Sequence, residues 1–232
     1  MTSEPPVEVP AARRTRVREA AVQEIKAAAR MHLARSGPAD LSLRAVARDV
    51  GVTPSALYRY FDSRAALIAA LSAESLEAAT RAMAQALPAP PASHAERARA
   101  AFLALREWAR ANPAEFALVI ANGEPETRPQ LASSPELQRL VALPLAAIVA
   151  GLHDGTITGG AGSAVLSDAA LEVTQHWAQA PDADVLAQAV TLLSQCLGWL
   201  HLEHFGLVDA LMSAPQDAYA AYLASVLGAV ET

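Results

Sequence analysis

Apolar residues recur at helical spacing in the first part of the chain. Val22, Ile25, Ala29 and Leu33 are separated by 3, 4 and 4 residues, which places them on one face of an α-helix. The tripeptide Ser-Gly-Pro at 36–38 ends that helix, because proline cannot continue the backbone hydrogen bonds of a helix. The proline-rich residues 1–12 lack this periodicity, and we expect them to form a disordered tail.

Two short helices joined by a tight turn follow. Ser42 is placed to cap the first helix, and Gly51 ends it with a residue that is free to adopt positive φ. Thr53 caps the second helix, with Pro54 at the first helical position, where a missing N–H costs nothing. We expect this second helix to end near Phe61. The pattern therefore predicts a helix-turn-helix inside a small three-helix unit.

The rest of the chain also has helical periodicity and lacks the alternation typical of strands. Ser93 and Glu96 have the spacing of a capping box, and Pro144 falls inside a helix, where we expect a kink. The predicted helices are 63–86, Ser93 to 111, 113–120, 135–152, 163–179, 184–211 and 215–230, with loops at 122–134 and 154–162. The predicted fold class is all-α: a helix-turn-helix domain over 13–64, a linking helix over 65–86, and a C-terminal regulatory and dimerisation domain over 87–232.

Charge is divided unevenly along the chain. Residues 1–64 hold 11 basic and 7 acidic residues, a net +4, whereas the remainder holds 7 and 17, a net −10. In such a protein only the basic N-terminal end is suited to contact the phosphates of a nucleic acid. The lone Cys196 excludes an intrachain disulfide framework, and the longest apolar stretches, such as 140–152, look too short to span a bilayer. We therefore expect a cytoplasmic protein without a membrane partner.

The second short helix presents a face suited to the major groove of DNA. Leu57 and Phe61 point into the core in this periodicity, together with Val52, which leaves hydroxyls, small side chains and Arg59 on the outer face. The segment closely resembles the tetracycline-repressor family of DNA-binding regulators. The residues that carry this resemblance are Ala47, Gly51, Val52, Leu57, Tyr58, Tyr60, Phe61 and Arg64.

The resemblance implies specific contacts with DNA. Tyr58 and Tyr60 would bind backbone phosphates, Ser55 and Ala56 would lie near bases, and Arg44 would lie close to the groove. Arg64 replaces the lysine usual in the family and would hold a phosphate with two N–H groups of its planar guanidinium. We also interpret the basic run at 13–18 as an arm for phosphates or the minor groove, although a solvated tail is the alternative. The candidate DNA-binding residues are Arg13, Arg14, Arg16, Ser42, Arg44, Thr53, Pro54, Ser55, Ala56, Tyr58, Arg59, Tyr60 and Arg64.

Two later segments, 101–125 and 196–206, resemble a C-terminal regulatory domain found in the same family. Trp108, Pro113 and Phe116 match in the first segment, and the second matches at Gly198, Leu202, Glu203, Phe205 and Gly206. The resemblance implies that the helices at 163–179 and 184–211 form a four-helix bundle with a partner subunit. The apolar residues that we expect on this dimer face are Val185, Leu186, Ala189, Leu192, Leu193, Leu197, Leu200 and Leu207.

An effector pocket should lie among the helices at 93–179. Its candidate walls are apolar, with one histidine as a polar anchor, although each residue could equally be plain core. The candidate ligand-binding residues are Leu103, Trp108, Phe116, Ile120, Leu140, Leu145, Ile148, His176 and Trp177. We expect a homodimeric repressor that leaves a palindromic operator when a small apolar ligand enters, with the linking helix as the hinge. The alternative is a helix-turn-helix protein with no ligand, either architectural or controlled by a partner.

Other chemistry has little support in the sequence. His201 and His204 could share a metal, but Glu203 points away from them in a helix and no third ligand is evident, so we expect a surface or interface role. No phosphate-binding glycine loop and no catalytic Ser-His-Asp pattern is present. We therefore expect neither an enzyme nor a bound metal or other cofactor.

Overall fold

The computed structural model describes residues 10–120, 134–158 and 183–228, and every regular element in these ranges is a helix. The chain divides into two compact units, Met1–Leu71 and Ser72–Thr232. The division falls inside the helix Arg64–Ala86, which contains the predicted linking segment. The predicted helix at 163–179 and almost all of the predicted loop at 122–134 lie outside the described residues, as do residues 1–9 of the predicted tail.

The N-terminal unit contains α1 (Pro10–Ser36), α2 (Leu43–Asp49), α3 (Pro54–Leu57) and the start of α4 (Arg64–Ala86). Ile25, Ala29 and Leu33 are buried, which confirms the apolar stripe of the first helix. However, α1 begins at Pro10, so the basic run at 13–18 is helical and the helix enters the segment that we predicted to be disordered. His32 Nε2 lies 2.8 Å from Asp49 Oδ2 and links α1 to α2.

The predicted caps of the helix-turn-helix are present. Ser42 Oγ accepts from the backbone N–H of Ala45 at 3.4 Å, and Thr53 Oγ1 accepts from that of Ala56 at 3.2 Å. Gly51 has φ of +74°, which only glycine adopts without strain. The helix α3 ends at Leu57 rather than near Phe61. The chain then continues in turns that keep hydrogen bonds to α3, which is why the periodicity suggested a longer helix.

The second unit packs its helices around one apolar core. Ser93 and Glu96 form the predicted capping box, with the Ser93 N–H donating to Glu96 Oε2 at 2.7 Å. The core includes Phe102, Ile148 and Tyr219, which are fully buried. Besides the rest of α4, the helices are α5 (His94–Ala111), α6 (Pro113–Ile120), α7 (Pro135–Asp154), α8 (Ala183–His204), α9 (Leu207–Leu211) and α10 (Pro215–Val226).

Two predictions about the late helices need correction. The helix predicted over 184–211 is two helices, because Gly206 adopts φ of +74° and separates α8 from the short α9. The last helix ends at Val226 rather than at 230. The helix α7, in contrast, runs through the buried Pro144 as one element.

Helices α7 and α8 are long and apolar enough to cross a membrane by length and composition alone. The expectation that the stretch around 140–152 is too short was therefore wrong, since α7 has 20 residues. Both helices pack against each other and against α5 inside the second unit. The core helix of a globular domain meets the same criteria, so these features carry no argument for a membrane partner.

Candidate DNA-binding surface and effector pocket

The face predicted to read DNA is displayed on the surface of the N-terminal unit. Leu57 is fully buried and holds α3 against the core, whereas Tyr58 beside it is 47% exposed. Thr53, Ser55 and Arg59 are exposed as well. The short helix α3, its cap and the turn that follows it therefore present two hydroxyls, a phenol and a guanidinium to solvent.

The remaining predicted contacts differ in exposure. Ala56 and Tyr60 are half-buried at the edge of this face. The other candidates are exposed, on α1, on α2 or at the start of α2 and α3: Arg13, Arg14, Arg16, Ser42, Arg44 and Pro54. The side chains of Ser42 and Thr53 already accept capping hydrogen bonds, so they serve the helix ends in this arrangement.

Arg64, predicted to hold a phosphate, directs part of its guanidinium into its own unit. Its guanidinium donates to the backbone carbonyls of Leu41 and Ala39 at 3.0 Å each, and also to that of Pro38. These carbonyls belong to the turn between α1 and α2. Arg64 therefore fastens that turn to the start of α4, a role that helical periodicity could not reveal because the partners lie more than 20 residues away in the chain.

A contact that the sequence reasoning missed connects α1 with the recognition face. The Cζ atom of Arg18 lies 5.5 Å from the centre of the Tyr60 ring. This is the distance of a cation–π interaction. Arg18 belongs to the basic run, but nothing in the sequence distinguishes it from its neighbours.

An apolar cavity of about 160 Å³ lies in the second unit. Four of the predicted ligand-binding residues meet at this cavity: Trp108, Phe116, Ile120 and Leu140. His201 of α8 supplies a polar side chain, and Ala79 of α4 also lines the cavity. The other lining residues are Leu105, Val119, Leu137, Val141 and Leu197. The arrangement suits a small, mostly apolar molecule with one hydrogen-bonding group.

Several predicted pocket residues lie elsewhere. Leu103 is 39% exposed and does not line the cavity, because it falls on the outer side of α5. Leu145 and Ile148 are fully buried in the core and also do not line it. The proposed polar anchor His176 and its neighbour Trp177 lie outside the described residues.

The His201–His204 segment, for which we expected a surface or interface role, contributes Glu203 to a buried ion-pair cluster. Glu203 is only 7% exposed and accepts from Arg106 Nε at 2.8 Å and from Arg106 Nη2 at 2.6 Å. Arg110 Nη1 donates to the same carboxylate at 2.7 Å. These three residues line a second cavity of about 180 Å³. No single residue pattern marks Glu203 as buried, because its partners are 97 and 93 positions away.

The two histidines beside Glu203 sit among aromatic rings. His204 lies edge-on to Phe116, with ring centres 5.4 Å apart. Burial, and secondarily the charge of His201, lowers the pKa of His204, so its neutral form is favoured. Within the ranges that the structure covers, no group of three or more histidine, cysteine or carboxylate side chains is arranged to hold a metal.

The face predicted for dimerisation is largely internal. Leu186, Ala189, Leu192, Leu193 and Leu200 are buried within one chain, because α8 is a central helix of the second unit. Among the described residues, five exposed apolar side chains lie instead in the last turn of α8 and just after it. They are Leu202, Phe205, Leu207, Leu211 and Met212, with Phe205 71% and Leu211 74% exposed. We refer to these five residues as the apolar ridge.

Comparison with known proteins decides the family. The family model "Bacterial regulatory proteins, tetR family" matches residues 25–71, and the model "Tetracyclin repressor-like, C-terminal domain" matches residues 98–227. The chain belongs to the TetR family. Family members are DNA-binding transcriptional regulators and not enzymes, and this TetR-family protein is accordingly a helix-turn-helix transcriptional regulator.

Relatives with the same architecture are known. HTH-type transcriptional regulators from Mycobacterium tuberculosis and Mycobacterium bovis are 30% identical over 204 residues, covering 86% of this chain and 87% of theirs. The crystal structure of the regulatory protein SCO4313 is 29% identical, with a TM-score of 0.64 over 92% of this chain and 98% of that one. A tetR-family protein from Rhodococcus RHA1, 19% identical, shares the fold with a TM-score of 0.61, covering 91% of this chain and 98% of its own.

Proposed function

We propose that this TetR-family regulator is a homodimeric repressor that binds a palindromic operator and releases it when a small apolar molecule enters the cavity around Trp108 and Phe116. The observation that carries the proposal is the cavity itself, which is apolar and has part of its wall on α4. A ligand there can act directly on the helix that leads to the DNA-binding unit.

The DNA-binding part of the proposal rests on the exposed face of α3. Tyr58, Thr53, Ser55 and Arg59 project from a turn that buried Leu57 holds in place. In a symmetric dimer, two such faces would read two half-sites about 34–36 Å apart, which requires a palindrome. We place the protein in the cytoplasm, where such a regulator meets its DNA.

The dimer would form around the apolar ridge. Five large apolar side chains between 202 and 212 are exposed in the single chain, and so much apolar surface close together in the sequence favours association with a partner. The charged change Leu211→Asp should convert a dimer to monomers in light-scattering measurements, whereas Met31→Asp, at an exposed apolar position of α1, should leave the dimer intact. A wild-type chain that is monomeric at micromolar concentration would contradict the dimer.

The link from cavity to DNA would run through α4. Ala79 lines the cavity, and Glu77 of α4 lies 3.9 Å from Arg139 of α7. The helix α7 also lines the cavity with Leu137, Leu140 and Val141. An occupant that displaces α7 would therefore also bear on α4, which continues into the N-terminal unit.

The ligand test is a thermal-shift screen of apolar metabolites and drugs, because a ligand that binds the folded state raises its melting temperature. A hit should lose its effect in Ile120→Trp, which fills the cavity, and keep it in Leu103→Trp, where the same side chain is added on the exposed side of α5. The hit should also release DNA that has been selected with the purified protein. DNA binding without any cavity ligand would favour the alternative, an architectural or partner-controlled regulator.

The DNA test uses Tyr58→Ala on the same selected DNA. We expect weaker binding with unchanged folding, because about half of the side chain is exposed to solvent. The matched control is Met31→Ala, an exposed position on another helix of the same unit. Equal binding by wild type and Tyr58→Ala would contradict the assignment of this face.

A further inference from the structure

The basic run of α1 is not a flexible arm, and this changes which of its arginines can act together. The helix α1 is continuous from Pro10. Residues four apart on a helix point about 40° from each other, whereas residues two apart are separated by about 160°. Arg14 and Arg18 therefore share one side of α1, and Arg16 lies on nearly the opposite side.

The contact with Tyr60 shows which side is turned toward the recognition face. The Arg18 guanidinium carbon lies 5.5 Å from the centre of the Tyr60 ring, and Arg18 is exposed. Tyr60 itself is half-buried, and the Arg18 guanidinium lies over its ring. A guanidinium that lies over a phenol ring can still direct its N–H groups outward, past the edge of the ring.

We propose that Arg18 and Tyr60 form one composite phosphate-binding site, in which Arg18 orients the Tyr60 hydroxyl and supplies the positive charge. The proposal rests on the proposed binding of duplex DNA by the α3 face. Its ligand is a backbone phosphate, because a guanidinium and a phenolic hydroxyl on one edge offer several donors to one anionic oxygen group. Arg14, one turn earlier on the same side, extends the site along the backbone, whereas Arg16 does not take part.

The composite site makes a specific prediction about salt dependence. Each phosphate contact contributes about 0.9 to the slope of log K against log salt concentration, which corresponds to about eightfold in affinity at 0.1 M salt. A dimer on two half-sites carries Arg18 twice, so Arg18→Ala should lose about sixtyfold in affinity and flatten the slope by about 1.8. Arg35→Ala removes the same charge from the far end of the same helix, at a side chain that is 65% exposed, and should leave the affinity and the salt slope close to wild type.

A second pair of variants tests whether Arg18 acts through the ring. Tyr60→Phe keeps the ring and removes the hydroxyl, whereas Tyr60→Leu removes the ring as well. The loss of DNA affinity caused by Arg18→Ala should be just as large in a Tyr60→Phe protein and smaller in a Tyr60→Leu protein. Arg18→Lys should restore the salt slope but only part of the affinity, because lysine keeps the charge without the planar group that stacks on the ring.

The experiment is a fluorescence-anisotropy titration of the full chain with a labelled duplex of about 30 base pairs, long enough for two half-sites, at several salt concentrations. Thermal melts of each variant check that the fold is intact. The result that overturns the composite site is an Arg18→Ala curve that coincides with the wild-type and Arg35→Ala curves. If the wild type itself fails to bind duplex DNA at low salt, the proposed function falls, and the composite site falls with it.

Discussion

Removing the carboxylate of Glu203 should destabilise the second unit far more than removing its exposed partner. Glu203 accepts three hydrogen bonds of 2.6 to 2.8 Å from Arg106 and Arg110. Glu203→Ala leaves Arg106 buried without a carboxylate, since the Arg106 side chain is only 7% exposed and otherwise faces the Tyr219 ring at 5.8 Å. Breaking a buried pair in this way costs about 3–5 kcal/mol.

The matched control is Arg110→Ala. The Arg110 side chain is 53% exposed, so the loss of its bond to Glu203 is screened by water and should cost about 1 kcal/mol or less. A double variant, Arg106→Met with Glu203→Leu, removes both charges and keeps the volume. It should recover much of the loss, because no unpaired charge remains in the core.

The assay is equilibrium unfolding in urea, monitored by circular dichroism at one fixed protomer concentration, since dimerisation makes apparent stability depend on concentration. We expect the unfolding free energies to fall in the order wild type, Arg110→Ala, Glu203→Ala. If Glu203→Ala costs no more than Arg110→Ala, the cluster is not a buried ion pair in solution and the reasoning fails.

Three further predictions test other parts of the structure. Arg64→Ala should destabilise the N-terminal unit by about 1–3 kcal/mol in urea unfolding, because it leaves carbonyls of the α1–α2 turn without their donor, whereas Arg59→Ala on the exposed face should not. Cys196 should resist alkylation at pH 8 until the protein unfolds, because burial raises the pKa of its thiol to about 12; labelling of the native protein as fast as a free thiol would contradict this. Hydrogen bonds from Thr156 lower the pKa of Asp154 to about 2. In urea unfolding, the free energy of unfolding of wild type should therefore exceed that of Asp154→Asn above pH 4, and this excess should disappear as the pH falls from 3.8 toward 2. An excess that is the same at pH 5 and pH 2 would refute the coupling.

Local signals in the sequence predicted the local structure well. The caps at Ser42, Thr53 and Ser93 and the positive φ of Gly51 are present where residue type and spacing indicated. These features depend on residues three or four positions apart, which the sequence displays directly. The exposed face around Tyr58 followed from the same periodicity.

Contacts between distant residues were not predictable in the same way. Glu203 stands in an exposed-looking histidine segment, yet its partners are near position 106 on another helix. The helix break at Gly206 was also missed, because glycine inside a helical pattern is tolerated often enough that periodicity continued across it. For the cavity, periodicity separated apolar from polar faces but could not tell a lining residue such as Trp108 from a packed one such as Ile148.

The arginines show why a count of basic residues overestimates the positive charge that is available to bind DNA. Arg99 and Arg106 are buried in the second unit, where Arg99 donates to the Gly228 carbonyl at 3.1 Å. Arg64 is positively charged but directs its donors to backbone carbonyls of its own unit. A planar, weakly hydrated guanidinium tolerates such positions better than an ammonium group does. The net +4 of residues 1–64 therefore includes charge that is engaged within the unit. We expect affinity for DNA to depend strongly on the arginines that the fold leaves exposed near the recognition face, Arg18 among them.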